Sequence, residues 1–335
     1  MIALITGSLG LLGQSCVKVF RRAGLEVIGI DNNARSKYFG TAPRENGEDH
    51  QLYRADITRH GLVKEIFERY GTEIAAVIHC AAQPSHDWSA RQPVDDFQIN
   101  ALATVNLLEQ TRQYCPEAVF VNTSTSKVYG DSVNMLRFWE LDSRYEPASD
   151  NEYHRGINEY ESIDQSTHSP FGASKLAGDL MAQEYGRYYG LKTGIFRPGC
   201  ITGAAHQGAE LHGFLSYLVK CAKEQKTYNV YGYSGKQVRD NIHADDLAEA
   251  YLEFYMNPKP GDVYNIGGGR ENSISILEAK KELEVRGMNL DLEIIHAPRR
   301  ADHKWYITDY SKFKNDYPKW KITKGIAEIF KEMIG

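Results

Sequence analysis

Cysteine is scarce in this chain of 335 residues. The five present, Cys16, Cys80, Cys115, Cys200 and Cys221, are odd in number and none stands in a C-x-x-C pair. That excludes a disulfide-stapled scaffold. The thiols read as reduced, the cytoplasm is the expected location, and no metal site is expected. Long apolar runs are also missing. No stretch approaches the roughly 18 uninterrupted apolar residues of a membrane span, so none is expected. Residues 1–6 already read as a buried strand, so no signal peptide is expected. Positive charge is not in excess: 39 Lys and Arg stand against 44 Asp and Glu, a net charge of −5. No global basic field draws in nucleic acid or an anionic membrane, and neither is an expected partner. A polyanionic ligand must be held by a few local cations.

What is present is an ordinary globular composition, 42% hydrophobic and 25% charged. Short apolar runs alternate with helical patterns from the first residue. Strands are expected at 2–6, 25–31, 52–56, 75–82 and 118–125, with helices at 11–23, 60–70 and 94–114. This β-α-β alternation predicts an α/β fold whose parallel sheet is covered on both faces. The rhythm breaks over residues 131–168, which are polar and aromatic and carry little periodicity; a connection of that length reads as functional. It resumes with helix 169–189 and strand 191–196. Helix 209–224, strand 227–232, helix 245–256, strand 262–267, helix 274–286, strand 291–295 and helix 323–334 follow. The division expected is a dinucleotide-binding domain over 1–198 and a smaller α/β substrate-binding lobe over 199–335, interleaved with the first.

The first strand runs into Thr6-Gly7-Ser8-Leu9-Gly10-Leu11-Leu12-Gly13. In such a turn Gly7 permits a tight bend, Gly10 lets the backbone approach a pyrophosphate, and Gly13 allows close helix–strand packing. The next helix offers its free N–H groups to the phosphates. Asp31 ends the second strand, 18 residues after Gly13. A carboxylate there accepts hydrogen bonds from the adenosine ribose and repels a 2′-phosphate, which favours NAD over NADP. This is the signature of a Rossmann-type doubly wound parallel sheet. Asn32 follows Asp31 at the same strand end. Asp56 and Ile57 end a further strand, where the carboxylate can meet the adenine.

These residues, with His79-Cys80-Ala81-Ala82, Asn100 and the run Thr123-Ser124-Thr125-Ser126-Lys127-Val128-Tyr129-Gly130, resemble the extended short-chain dehydrogenase/reductases that modify nucleotide sugars. The resemblance covers nearly the whole chain. It is closest to the branch that epimerises CDP-linked deoxyhexoses at C2, notably in Thr123–Asp131, His168–Lys175, Gly235–Asp240 and the long 131–168 segment. The resemblance implies NAD as a bound cofactor and a nucleotide-diphosphate sugar as substrate. It assigns Leu9, Leu11, Leu12, Ala81, Ala82, Asn100, Lys175 and Pro198 to the cofactor along with the glycines. Gln83, Thr125, Ser126, Arg239 and Arg299 go to the substrate. A homodimer through the helices near 94–114 and 170–189 is implied as well, with Met181, Tyr185, Tyr188 and Tyr189 available to it.

By the same resemblance Thr125 holds the sugar hydroxyl to be oxidised. Lys175 holds the nicotinamide ribose and acidifies a tyrosine four residues before it. That tyrosine, as phenolate, takes the hydroxyl proton, a general-base contribution of about 10²–10⁴-fold. In this chain its position is Phe171, and a phenyl ring exchanges no proton. Phe171 and Lys175 still share one helix face, with Ser169 as candidate N-cap and Pro170 in the first turn. Three readings stay open: an engineered Tyr→Phe variant, an enzyme using another base such as Tyr129 or a residue of 131–168, and a binder without catalysis.

Family dehydratases carry an Asp-Glu pair just after the catalytic hydroxyl to eliminate water. Here the pair is Ser126-Lys127, which points away from dehydration and toward epimerisation. A 4-epimerase of UDP-hexoses or UDP-uronic acids is the alternative to C2 chemistry, and the 131–168 loop is expected to shape the choice. Arg239 and Arg299 suit a diphosphate because a guanidinium donates two parallel hydrogen bonds. Cys200 reads as a packing residue.

Overall fold

The computed structural model describes residues 1–39, 43–44, 49–204, 206, 208–210 and 213–335. The first part runs β1 (Ile2–Thr6), α1 (Leu11–Arg22), β2 (Glu26–Asp31), α2 (Ala34–Phe39), β3 (Gln51–Arg54), α3 (His60–Tyr70) and β4 (Ile74–His79). Then come α4 (His86–Arg91), α5 (Pro93–Phe97), α6 (Ala103–Tyr114), β5 (Val119–Thr123), β6 (Phe138–Glu140), β7 (Tyr145–Pro147), α7 (Ser169–Arg187) and β8 (Lys192–Pro198). The rest is β9 (Cys200–Thr202), α8 (Phe214–Glu224), β10 (Tyr228–Tyr231), β11 (Val238–His243), α9 (Ala244–Met256), β12 (Asp262–Ile266), β13 (Ser273–Ser275), α10 (Ile276–Val285), β14 (Leu292–Ile295), β15 (Trp305–Tyr306), α11 (Ser311–Asp316) and α12 (Ile326–Ile334).

Seven parallel strands form the main sheet in the order β12-β8-β5-β4-β1-β2-β3. Crossing from β3 back through β1 to β4 reverses the strand order, so the C-terminal ends of β1 and β4 flank a crevice where such folds bind ligands. The central strands are apolar on both faces because helices cover both. One core joins α1 and α9, with Cys16, Phe20, Phe196, Tyr251, Phe254 and Phe313. The other, with Phe67, Leu107, Phe120 and Ile195, lies under α3, α6 and α7. The C-terminal lobe has its own small core around Leu218, Val230, Leu283 and Phe330. Yet β12, from that part of the chain, forms an edge of the main sheet.

Several elements differ from the sequence reading. The helix expected at 94–114 is interrupted by a wider turn at Gln98–Leu102 between α5 and α6. The helix expected from 209 begins at Phe214, and residues 211–212 of that expectation lie outside the described residues. The 131–168 segment is more ordered than its composition suggested: β6 and β7 pair as an antiparallel hairpin. Arg144 then reaches Ser273 at 2.8 Å, and Arg270 reaches Glu146 at 2.7 Å. These ties hold the segment against the C-terminal lobe. Among the described residues, no helix is long and apolar enough to cross a membrane, and no group of three or more His, Cys, Asp or Glu could hold a metal ion.

Candidate active site

At the end of β1 the backbone turns so tightly that only glycine fits. Gly7 has φ +69°, and a Cβ at Gly13 would lie 2.0 Å from the Gly7 carbonyl oxygen. The N-terminus of α1 thus opens into a crevice of about 210 Å³ lined by Gly7, Leu9, Gly10, Leu11, Leu12 and Gly13 from the turn. Asp31, Asn32, Asp56, Ile57, Ala81 and Ala82, also predicted at the cofactor, stand on its walls, whereas Asn100, Lys175 and Pro198 do not. The Asp31 carboxylate accepts from the Leu9 N–H at 3.0 Å and the Asn33 N–H at 2.7 Å. A carboxylate has about four acceptor sites, so these two N–H groups do not exhaust it. Asp56 is engaged by Thr58 and by Asn32 at 2.8 Å. These residues fit a dinucleotide: a phosphate-sized cradle on a helix N-terminus, and an acid where a ribose would lie. Arg35 and Arg44 also line this crevice. Sequence reasoning missed them because nothing in their local pattern marks a ligand.

The crevice shares a wall at Leu12, Cys80, Ala82 and Pro84 with a larger cavity of about 400 Å³. This one reaches from the C-terminal ends of β4, β5 and β8 to the C-terminal lobe. Thr125, Ser126, Phe171, Lys175, Pro198, Arg239 and Arg299 all line it. Thr125 leads into a short 3-10 turn, and its hydroxyl accepts from the Lys127 N–H at 3.3 Å. Lys175 stands on α7, whose first turn is shaped by Pro170 and by Ser169, which accepts from the Gly172 N–H at 3.3 Å. Its ammonium donates to the Thr123 carbonyl at 2.6 Å. Burial brings the Lys175 pKa down to about 8, although Asp179 acts against the drop.

Phe171 is 8% exposed, with its ring against that of His86, centroids 4.9 Å apart. Lys127, one residue past Ser126, is the next cation. It lies 3.2 Å from Asp302, and Arg239 lies 2.8 Å from the same carboxylate. Burial alone would raise the Asp302 carboxyl, but Lys127, Arg239 and Arg299 hold it well below the usual range. Burial lowers Lys127 itself to about 8. Arg299 is bonded to Asp87 at 3.1 Å.

Two predicted residues take other places. Gln83, expected at the substrate, is fully buried and lines neither cavity. Its amide donates to the Ser85 carbonyl and to Asp96, both at 2.8 Å. Asn100, expected at the cofactor, sits on the wide turn at Gln98–Leu102 and is spent on Gln83, Asp96 and Ser174. Both belong to a polar brace that ties α5 to α7 behind the site, because their buried amides must be satisfied. Nor does any described residue of 131–168 line the cavity. Ser143, Arg144 and Glu146 of this segment bond instead to Glu278, Ser273 and Arg270. His86, Lys127 and Asp302 were not picked out as site residues. Ser85 caps α4, accepting from the Trp88 N–H at 3.2 Å, and this starts His86 at the C-terminal edge of the sheet. A helix start just after strand Ile74–His79 was the available signal.

A parallel seven-stranded sheet with a glycine cradle on its first helix, an acid closing its second strand, and a hydroxyl-and-lysine pair over the adjoining cavity defines a dinucleotide-dependent enzyme class. The chain belongs to the NAD dependent epimerase/dehydratase family, whose model matches residues 3–267, and its cofactor is NAD. It is 30% identical to CDP-paratose 2-epimerase of Salmonella typhi, over 98% of this chain and 98% of that one. It is 28% identical to UDP-glucuronate 4-epimerase of Thermodesulfobacterium geofontis, over 96% of this chain and 93% of that one. The structure of UDP-glucose 4-epimerase of Thermus thermophilus in complex with NAD superimposes with a TM-score of 0.80 at 25% identity, covering 100% of this chain and 99% of that chain.

Proposed function

We propose that this protein epimerises a nucleotide-diphosphate sugar through a transient keto-sugar, at C2 of a CDP-linked deoxyhexose of the paratose and tyvelose type. The observation that carries the reading is the pairing of Thr125 and Lys175 on one cavity with Lys127 where a dehydratase would present a carboxylic acid. NAD held in the glycine-lined crevice would supply a hydride acceptor and donor for the sugar carbon and so would not be consumed. Thr125 holds the reacting hydroxyl. Lys175 puts a buried positive charge beside the forming oxyanion. Arg239 and Arg299 meet the diphosphate, exchanging their bonds to Asp302 and Asp87 for phosphate oxygens. No carboxyl acid follows Thr125, so water is not eliminated. The CDP and C2 assignments rest on the 30% identical Salmonella typhi relative. The alternative is a 4-epimerase of UDP-hexoses or UDP-uronic acids, toward which the 28% identical relative points.

The test is proton NMR of the protein incubated with CDP-, UDP-, GDP- and dTDP-sugars without added NAD. A new sugar spin system names the carbon. If neither the parent nor Phe171→Tyr converts any of these sugars while folded and holding NAD, the epimerase reading fails. The second reading, a silent binder of NAD and nucleotide sugar, then takes its place; Phe171 itself is what favours it. The homodimer is likewise a proposal. Leu180, Met181, Tyr188 and Tyr189 are exposed on or just after α7, whereas Tyr185 is buried. A sedimentation run that finds only monomer at micromolar concentration refutes it.

A further inference from the structure

The epimerase reading leaves a chemical gap, because Phe171 has no proton to exchange. Another group must then act as the base. Tyr129 does not serve: its hydroxyl is buried, donates to Asn265 at 2.7 Å and accepts from Arg197 at 3.0 Å, away from the cavity. Burial pushes that phenol up to about 12. The Tyr306 hydroxyl is also buried and held well above the usual phenol range. His303 is spent on the Gly130 carbonyl at 2.7 Å. Lys127 is committed to Asp302 and the Ala301 carbonyl, each at 3.2 Å, and stands ready as a cation rather than an acceptor.

His86 is different. It lines the cavity and, as the first residue of α4, lies against Phe171 on α7. Its Nδ1 is 3.3 Å from Ser169 Oγ at the start of the helix that carries Phe171 and Lys175. In the tautomer whose Nδ1–H donates to Ser169, Nε2 is left as a free acceptor. We propose that His86 is the base of this enzyme, exchanging through Nε2 the proton that the family tyrosine would carry at position 171. This rests on the epimerase reading above.

The balance closes without a further reactant. The sugar hydroxyl gives its proton to His86 Nε2, and the carbon–hydrogen pair leaves as hydride to the nicotinamide ring. A carbonyl and an imidazolium result. When hydride returns to the opposite face, the imidazolium gives the same proton back to the same oxygen.

The electrostatics keep the ring unprotonated and make it a weak base until the diphosphate is in place. Burial brings the His86 pKa down to about 3; Lys127, Arg299 and Arg239 also lower it, and Asp302 opposes them. At neutral pH the ring is therefore an unprotonated acceptor. Arg239 and Arg299 are the two cations that the diphosphate would meet. Bringing its negative charge to them offsets their field and makes the imidazole more basic when substrate is in place.

The experiment compares four proteins: the parent, His86→Gln, Phe171→Tyr, and His86→Gln with Phe171→Tyr. Each is checked for folding and NAD content, then given the NMR panel. Glutamine keeps a polar group but exchanges no proton. The expected results are conversion by the parent and a roughly 10²–10⁴-fold loss of kcat in His86→Gln, with KM changed little. Phe171→Tyr should return most of that loss in the double variant, because the phenol replaces the missing acceptor. Undiminished turnover by His86→Gln overturns the proposal and leaves the epimerase reading standing. So does conversion seen only in proteins carrying Phe171→Tyr, and so does a double variant as slow as His86→Gln. Conversion by none of the four sinks both.

Discussion

Removing the carboxylate of Asp179 should cost more stability than almost any other single change near the site. Asp179 lies on α7, one turn beyond Lys175, with its side chain 0% exposed. It accepts from Arg197 Nε at 2.9 Å and Nη2 at 2.8 Å, from Ser124 at 2.5 Å, and from Gln183 at 2.6 Å. Arg197 is 5% exposed and also covers the face of the Tyr129 ring at 5.1 Å. Burial by itself would lower the Arg197 pKa, but Asp179 raises it well above the ordinary value. Asp179→Ala leaves that guanidinium buried and unpaired, a loss of about 3–5 kcal/mol. Urea unfolding followed by circular dichroism should show the midpoint fall accordingly, and Arg197→Met should fall by a similar amount. The double change Asp179→Leu with Arg197→Met should recover most of the loss, because neither charge is then stranded. A cost below about 1 kcal/mol for Asp179→Ala, or a double variant as weak as the two singles summed, would refute the account.

Other expectations follow from the same geometry. Gly13→Ala should lose NAD binding in a fluorescence titration, since its Cβ would stand 2.0 Å from the Gly7 oxygen. Arg299→Ala should weaken calorimetric binding of CDP roughly 10–100-fold, the worth of a hydrogen bond to a charged group, and leave NAD binding intact. Lys175→Met should melt higher than the parent at pH 7. The buried ammonium has its folded pKa at about 8, below its unfolded value. Between those values the unfolded chain binds more protons, so the parent gains stability as pH rises from about 8 toward 10.5. The advantage of Lys175→Met should therefore shrink over that window; an advantage that grows would show the sign to be wrong.

The dinucleotide half was legible because its signals are local. A helix beginning at Leu11 and a strand ending at Asp31 can be read from turn chemistry and apolar runs. The strand Val238–His243 was not, since VRDNIH alternates poorly. It exists because β9, β13 and β15 each pair with it, all from distant parts of the chain. The site divides along the same line. Thr125 and Lys175 are set by short motifs. Gln83 and Asn100 answer to a brace whose members, Asp96 and Ser174, are adjacent only after α5 and α7 have packed. His86 bears on the cavity through its contact with Phe171, 85 residues later in the chain.

Six strands of the main sheet come from residues 2–198, and the seventh, β12, arrives only at 262–266. A ribosome therefore finishes most of the sheet while β8 still lacks its outer neighbour. Its row of backbone groups from Gly194 to Pro198 waits for Asp262–Ile266. The delay spans the synthesis of α8, β10, β11 and α9. Cutting the gene at residue 198 would strand that edge permanently and strip α1 of the helix α9 that covers it. The last third of the chain therefore completes the main sheet: an exchange of C-terminal segments between relatives has to leave β12 and α9 with the strands and helix they cover.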